Sequence, residues 1–473
     1  MKKLKTVAAL LIVLAMMFAV AACDSGDSGT TPTPAPPVDP GPGTPAATPD
    51  PGSDPEPEGP VYDMEGRTIR FGAHWKFYDF LTGDDPPDPA TSEDYEIDMM
   101  KYENLLRVQD RYNVKFEWIA SDWGMMLENL VSSTMAGDPW AEIMTVEGNW
   151  LMPGLMQDLF LSSDEFVRPQ NDIANEQMVM KWDGALFGRD VIFRLVEPNF
   201  YGAFLGYNRD MVNALGLDDP GEIYDRGGWT WDVFMDMAMR AVNADKRGFS
   251  GIPNQNWKNW MASNGVKMVD EATGRVMADT PAMLNVLQFM QDMFFTNKVA
   301  YVYNDDIWSW DGGGVYNDGD SLFWTWYHWE IPYTADSPLP FNFGIISYPK
   351  GPDNPHGYTY SKGPWGWGLI RGIEEPEWVY TIYEELHHWF GDDRGLMDDD
   401  VFDYLATKIT NQADLNRLLH LSTNTGLSDL SENVPDADHW RLAVPVATGE
   451  MTPAQVVESR KQELQDAVDQ IFG

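Results

Sequence analysis

Cysteine is almost missing from this 473-residue chain: Cys23 stands alone, so neither an internal disulfide nor a cysteine-only metal cluster can form. Basic residues are scarce as well, with 32 Lys and Arg against 74 Asp and Glu and a formal net charge of -42. That balance leaves no basic surface to displace phosphate counterions, which excludes nucleic acid as a partner. It equally excludes docking on anionic lipid through a polybasic patch. Several chemical signatures are absent too. There is no HExxH pair for zinc, no nucleophile elbow, no Gly-rich phosphate loop and no EF-hand spacing with its closing Glu. The acidic clusters Asp305-Asp306, Asp318 with Asp320, and Asp398-Asp399-Asp400 therefore read as solvated faces, and no metal or cofactor is expected. What the chain does have is aromatic surface, with 20 Trp, 19 Tyr and 22 Phe. At about 150 residues per domain, its length suits two to three domains.

The first 60 residues differ from the rest. Lys2, Lys3 and Lys5 precede an unbroken apolar run from Val7 to Ala22, short for a membrane span and suited to a signal-peptide core. The run ends Val20-Ala21-Ala22-Cys23, which resembles the lipobox of bacterial lipoproteins, with Val20 in place of the usual Leu. The resemblance implies cleavage before Cys23 and a diacylglycerol on its thiol. Loss of the three lysines takes the charge from -42 to -45, so the lipid must anchor the chain, and two acyl chains suffice. Residues 24–60 hold 12 of the 33 prolines and no aromatic residue. Such a segment cannot bury enough to fold. In polyproline II form it would reach roughly 115 Å. A tethered, mobile body on the outer face of the cell membrane (or in a periplasm) is the expectation.

From Val61 the pattern becomes that of an α/β body. Arg67 to Phe71 alternates as a strand, and Ile97, Met100, Leu105, Val108 and Tyr112 follow helical spacing up to Asn113. Val114, Phe116 and Trp118 alternate again, a helix over 125–135 stops at Gly137-Asp138-Pro139, and Ile143 to Val146 reads as a buried strand. This β-α-β-α-β order predicts a mostly parallel sheet covered by helices. Ligands of such sheets sit beyond the carboxyl ends of the strands, which singles out the turns after Phe71 and Val146. Further on, Thr230 caps a helix faced by Trp231, Phe234, Met237, Ala238 and Ala241. A strand is predicted over 341–348, and a closing helix starts at Thr452-Pro453.

These segments together resemble the family-1, sugar-type extracellular solute-binding proteins of ABC importers. The matching stretches are YENLLRVQDRYNVKFEW (102–118), STMAGDPWAEIMTVEGNW (133–150), FLGYNRDMVNALGLDDP (204–220), GGWTWDVFMDMA (227–238), FGIISYPKGPD (343–353) and TPAQVVESRKQELQ (452–465). The resemblance implies a two-lobed periplasmic-binding-protein-like α/β fold with hinge strands and a ligand cleft between the lobes. Its crossings fall at 203–208 and 358–366. One lobe is then 61–206 with about 360–420, and the other about 207–359 with about 421–473. It also implies an ABC permease as partner and capture without catalysis by a chain expected to be a monomer.

A sugar presents an apolar C–H face and a rim of hydroxyls, so its site needs flat aromatic surfaces and planar polar groups. At the strand ends the candidates are Trp75 after the first strand, then Glu147, Asn149 and Trp150 after the third, and Tyr201 before the first crossing. Asn254, Gln255 and Trp257 follow Gly251-Ile252-Pro253, in the run NQNW. The stretch LFWTWYHWE offers Trp326, His328 and Trp329, and Trp365 lies beside the second crossing. Trp118, Trp182, Trp231 and Trp389 are assigned to the core, and Trp229, Trp308 and Trp310 stay open. Each site aromatic also has a packing role as its alternative, and Glu147 and Asn149 could cap the next helix. The dense aromatics point to an oligosaccharide over a monosaccharide. Two other functions fit the same features: a tethered glycan-cleaving enzyme, needing only two carboxylates across a sugar bond, and a solute-binding sensor.

Overall fold

The protein is described by a computed structural model. It describes residues 62–74, 81–161, 179–182, 191–194, 203–302, 316–331, 339–361, 365–396 and 405–472, with isolated gaps in several of these ranges. The segments 1–61 and 195–202, which include the signal, Cys23, the proline-rich stretch and Tyr201, lie outside them.

In the first part of the chain the local patterns become the elements they predict. Strand β1 (Arg67–Ala73) leads to helix α1 (Tyr95–Tyr112), whose N-cap Asp94 accepts a hydrogen bond from the Ile97 amide at 3.1 Å. Asn113 ends α1 in the left-handed region at φ 47°, a conformation Asn tolerates. Strand β2 (Val114–Ala120), helix α2 (Met126–Ala136), strand β3 (Ile143–Glu147) and helix α3 (Gly148–Met156) follow. Strands β4 (Val179–Trp182), β5 (Val191–Arg194) and the late-returning β13 (Trp365–Leu369) complete a six-stranded sheet in the order β2-β1-β3-β13-β5-β4.

This sheet is mixed rather than mostly parallel. β2, β1 and β3 run parallel, whereas β13 pairs antiparallel to β3 and to β5, and β4 pairs antiparallel to β5. The parallel half is what consecutive β-α-β units impose. The other half is filled by strands distant in sequence, which no crossover helix forces into parallel.

A second, five-stranded sheet has the order β10-β7-β11-β6-β12. It is built from β6 (Phe204–Asn208), β7 (Arg247–Ser250), β10 (Ala300–Tyr301), β11 (Ser321–Trp326) and β12 (Phe343–Ile346). The short helices α4 (Arg209–Ala214) and α5 (Pro220–Asp225) follow β6, and β8 (Val269–Asp270) and β9 (Arg275–Val276) form a separate antiparallel pair. β10, β7 and β11 are parallel, and β6 runs antiparallel between β11 and β12. One core of this half joins helices α6 (Trp231–Asn243), α7 (Pro253–Ser263), α8 (Pro281–Gln291), α11 (Trp440–Ala447) and α12 (Pro453–Phe472) to the sheet. Thr230 caps α6 and Trp231 stacks on Phe289 at 4.2 Å, so this Trp is core, as its helical position predicts.

Side-chain packing draws two borders differently from the expectation. β6 belongs wholly to the second sheet, and the expected second crossing at 358–366 ends inside β13 of the first. Helix α9 (Pro376–His387) packs on the first sheet and α1, with the Asn104 amide donating to the Glu385 and Leu386 carbonyls at 2.9 and 3.0 Å. Helix α10 (Gln412–Thr423), expected in the first lobe up to about 420, packs instead against the second sheet. Leu405, Ile409, Leu415, Leu418 and Leu421 share a core with Phe204, Trp324, Trp326 and Ile345. The chain therefore returns to the second sheet between His387 and Leu405. A leucine stripe shows that a helix is amphipathic and not which apolar face receives it.

Candidate functional site

The carboxyl ends of β2, β1 and β3 lie side by side at one edge of the first sheet. His74 follows β1, and its ring meets Trp150 edge-on at a centroid distance of 5.7 Å. Trp150, in the first turn of α3, is 3% exposed and lies 5.6 Å from Trp123, which follows β2. The antiparallel register places Trp365 opposite Glu147, so the backbone of β13 begins at this same edge. Partial burial lowers the pKa of His74, which favours its uncharged form near neutral pH. The exposed Trp123 indole and a neutral imidazole, backed by the buried Trp150, can meet an apolar C–H surface without the cost of desolvating a charge.

The second sheet presents a comparable edge, where the carboxyl ends of β7 and β11 meet the start of β6. Trp326 pairs with Phe204 and Trp324 with Ser250 across the strands. Behind this edge lies a buried polar group. The Tyr348 hydroxyl is 2.7 Å from Thr325 Oγ1 and donates to Asn256 Oδ1 at 3.4 Å. Glu330, just past β11, accepts a hydrogen bond from the Tyr327 amide at 2.9 Å. Burial raises its pKa, only partly offset by that amide.

The raised Glu330 pKa gives a prediction with a definite sign. The folded state binds this proton more tightly than the unfolded chain, so its contribution to stability is present at low pH. It is lost as pH rises from the ordinary Glu range through the folded pKa. Glu330→Gln, which can still accept from Tyr327, is expected to raise the melting temperature at pH 7 and leave it unchanged near pH 4. Thermal unfolding at both pH values checks this, and an equal shift at both would contradict it.

The expected site residues distribute unevenly over these edges. Glu147, Asn149, Trp150 and Trp365 come together at the first edge; for all but Trp150 only the backbone is described. Asn254 and Gln255 fall in the first turn of α7 at the second edge, again as backbone only. Trp75, Tyr201, His328 and Trp329 lie outside the described residues, as do Trp308 and Trp310. Trp150, Trp257 and Trp326 differ from the expectation of ligand contact, for all three are buried, at 3%, 0% and 0% exposure, Trp150 in the core formed by α2, β3 and α3. Trp257 shares the inward stripe of α7 with Trp260 and Met261. Trp326 is enclosed edge-on by Trp324 at 5.0 Å, Tyr316 at 5.0 Å and Phe343 at 5.2 Å. Trp229, left open by its sequence context, is core as well, its indole N–H donating to the Ser347 carbonyl at 3.0 Å.

Two residues at these edges escaped the sequence reading. Trp123 carried a usable signal, since it lies in the turn just after the second strand, as His74 does after the first. Glu330 carried none, being one of 74 acidic residues. Among the described residues no group of three or more His, Cys, Asp or Glu could hold a metal ion, and no helix is long and apolar enough to cross a membrane.

Comparison with known proteins places this geometry. A search of the curated proteins finds no match. Among solved structures, an ABC substrate-binding protein from Listeria monocytogenes in complex with cycloalternan superposes with a TM-score of 0.60 at 14% identity, covering 86% of this chain and 98% of that one. The galacto-N-biose/lacto-N-biose I-binding protein of Bifidobacterium longum, in complex with lacto-N-biose, gives 0.60 at 12% identity over 85% and 97%. A maltose-bound protein from T. maritima gives 0.58 at 16% identity over 85% and 99%. These likenesses show the fold, the two-lobed α/β architecture of binding proteins. The model of the bacterial extracellular solute-binding proteins matches residues 101–379, more than half of the sequence, and shows that this chain belongs to that family.

Proposed function

We propose that the protein captures a carbohydrate, an oligosaccharide in preference to a monosaccharide, and delivers it to the permease of an ABC importer. The observation that carries this reading is the aromatic carboxyl edge of β2-β1-β3, where Trp123 is exposed and packs with His74 around the buried Trp150. In a family that binds extracellular solutes, aromatic faces beside Glu147, Asn149 and Trp365 suit a ligand with both C–H faces and hydroxyls. The sugars held by the superposable proteins support the same ligand class. Asn254 and Gln255 supply planar amides from the second sheet's edge, and Trp75, Tyr201, His328 and Trp329 are assigned to the same cleft by their place in the chain. Capture is a population shift: open forms are sampled, ligand bridges both lobes, and the closed form is selected for docking on the permease. A lipid on Cys23 and the proline-rich stretch after it hold this monomeric body at the outer face of the membrane, where it binds glycans and leaves their bonds intact.

Calorimetric titration of residues 60–473 against mono- and oligosaccharides, followed by analysis of the recovered glycans, tests the reading. Micromolar or tighter binding with unchanged glycans is the expected result. Shortened glycans would replace it with a glycan-cleaving enzyme. No heat with any sugar would remove carbohydrate as the ligand class.

A further inference from the structure

Glu330 occupies the turn beyond the carboxyl end of β11, at the edge of the second sheet. Its backbone amide donates to the Tyr327 carbonyl at 3.0 Å, and its Oε2 accepts the Tyr327 amide at 2.9 Å. Ile331 beside it is buried in the core of Trp324 and Trp326, so the turn is pinned and the carboxylate is held in place. The second oxygen, Oε1, accepts no hydrogen bond among the described residues and is not sealed from water. No Lys, Arg or His among the described residues pairs with this carboxylate. Tyr316 stacks on Trp324 on one face of β11, and the Tyr348 hydroxyl meets Thr325 on the other. Burial first, and the charge of Glu330 to a smaller degree, raise the pKa of both phenols, so they stay neutral and supply no counter-charge.

A carboxylate in this setting has lost part of its water without gaining a cation, and such groups concentrate at functional sites. A neutral sugar hydroxyl would donate one bond to Oε1 and leave the charge uncompensated. An ammonium group would both donate and neutralise it. The net charge of -42 acts in the same direction, drawing cations toward the protein. We propose that Glu330 selects for amino sugars, its Oε1 receiving the ammonium group of a glycan that carries free amines. This rests on the carbohydrate reading above and narrows it from neutral to cationic glycans.

The test is calorimetric titration of the wild-type full chain and of Glu330→Gln at about pH 7, below the usual pKa of an amine. The ligands are β-1,4-linked di- and trisaccharides of glucose, glucosamine and N-acetylglucosamine, which share a backbone and differ in one substituent. The wild type is expected to bind the glucosamine series about tenfold more tightly than the other two, the margin between a charge-assisted and a neutral hydrogen bond. In Glu330→Gln the three series are expected to bind alike. Glutamine can still accept from Tyr327, and thermal unfolding at or above the wild-type temperature shows that the lost preference is not a loss of folding. A glucosamine preference that survives in Glu330→Gln belongs to the charge of the whole protein and overturns the inference. Wild-type binding of the neutral series with no preference for glucosamine overturns it too, while the carbohydrate reading stands. Failure of the wild type to bind any of the three series overturns both.

Discussion

Replacing Asp414 by asparagine is expected to destabilise the protein by about 3–5 kcal/mol, the range for removing one partner of a buried ion pair. Asp414 has no exposed side-chain surface. Its carboxylate accepts two hydrogen bonds from Arg209, at 2.8 and 2.9 Å, and one from Arg417 at 2.8 Å. The Ile345 amide donates to it as well, at 3.1 Å. Arg417 in turn holds Asp225 through two bonds of 2.9 and 2.7 Å. The network ties α10 to the end of β6 and to β12, and it adds to the leucine core in holding this late part of the chain on the second sheet. Asparagine keeps the shape but offers one acceptor oxygen and no charge, which leaves the largely buried guanidinium groups of Arg209 and Arg417 short of compensation. Asp225→Asn is the control. Its side chain is half exposed, so a loss nearer 1 kcal/mol is expected. Guanidinium unfolding followed by circular dichroism measures both, and equal effects for the two variants would contradict the assignment.

Trp326→Ala is expected to cost about 3–5 kcal/mol relative to the wild type, because it empties a fully buried indole site in the core shared by the second sheet and α10. The ring is enclosed by Trp324, Tyr316, Phe343 and Phe204, and no small side chain nearby can collapse into its place. Trp326→Phe retains an aromatic ring and should lose less. The same experiment separates packing from ligand contact. A large loss of stability confirms a core tryptophan. A stable variant that no longer binds sugar would return Trp326 to the cleft.

How much of this was legible in advance depends on how far apart the deciding residues are. From Arg67 to Glu147 the strands and helices follow their periodicities, because each pattern is contained in one short segment and ends at its own cap, Asn113 or Gly137. The first edge was legible for the same reason, since consecutive β-α units place successive strand ends together. The second edge was legible in place and not in orientation. In β11 both faces are buried, so the alternation Leu322, Trp324, Trp326 gives no hint of which ring meets solvent. In α7 the spacing of Trp257, Trp260 and Met261 is that of an inward stripe, and of the two roles open to Trp257 the packing one is realised.

Charge, composition and short-range period are properties of neighbouring residues, and from them came the exclusion of nucleic acid, the α/β pattern and the strand-end turns. Resemblance spread along the body added the family, which the match over 101–379 bears out. The return of α10 to the second sheet was decided only in three dimensions. It depends on Arg209 and Asp414, which are 205 positions apart and meet at 2.8 Å. The exposure of Trp123 and the burial of Trp326 were decided there too. Both are flat apolar rings at a strand end, and only the surrounding residues, drawn from distant segments, determine which one is left facing water.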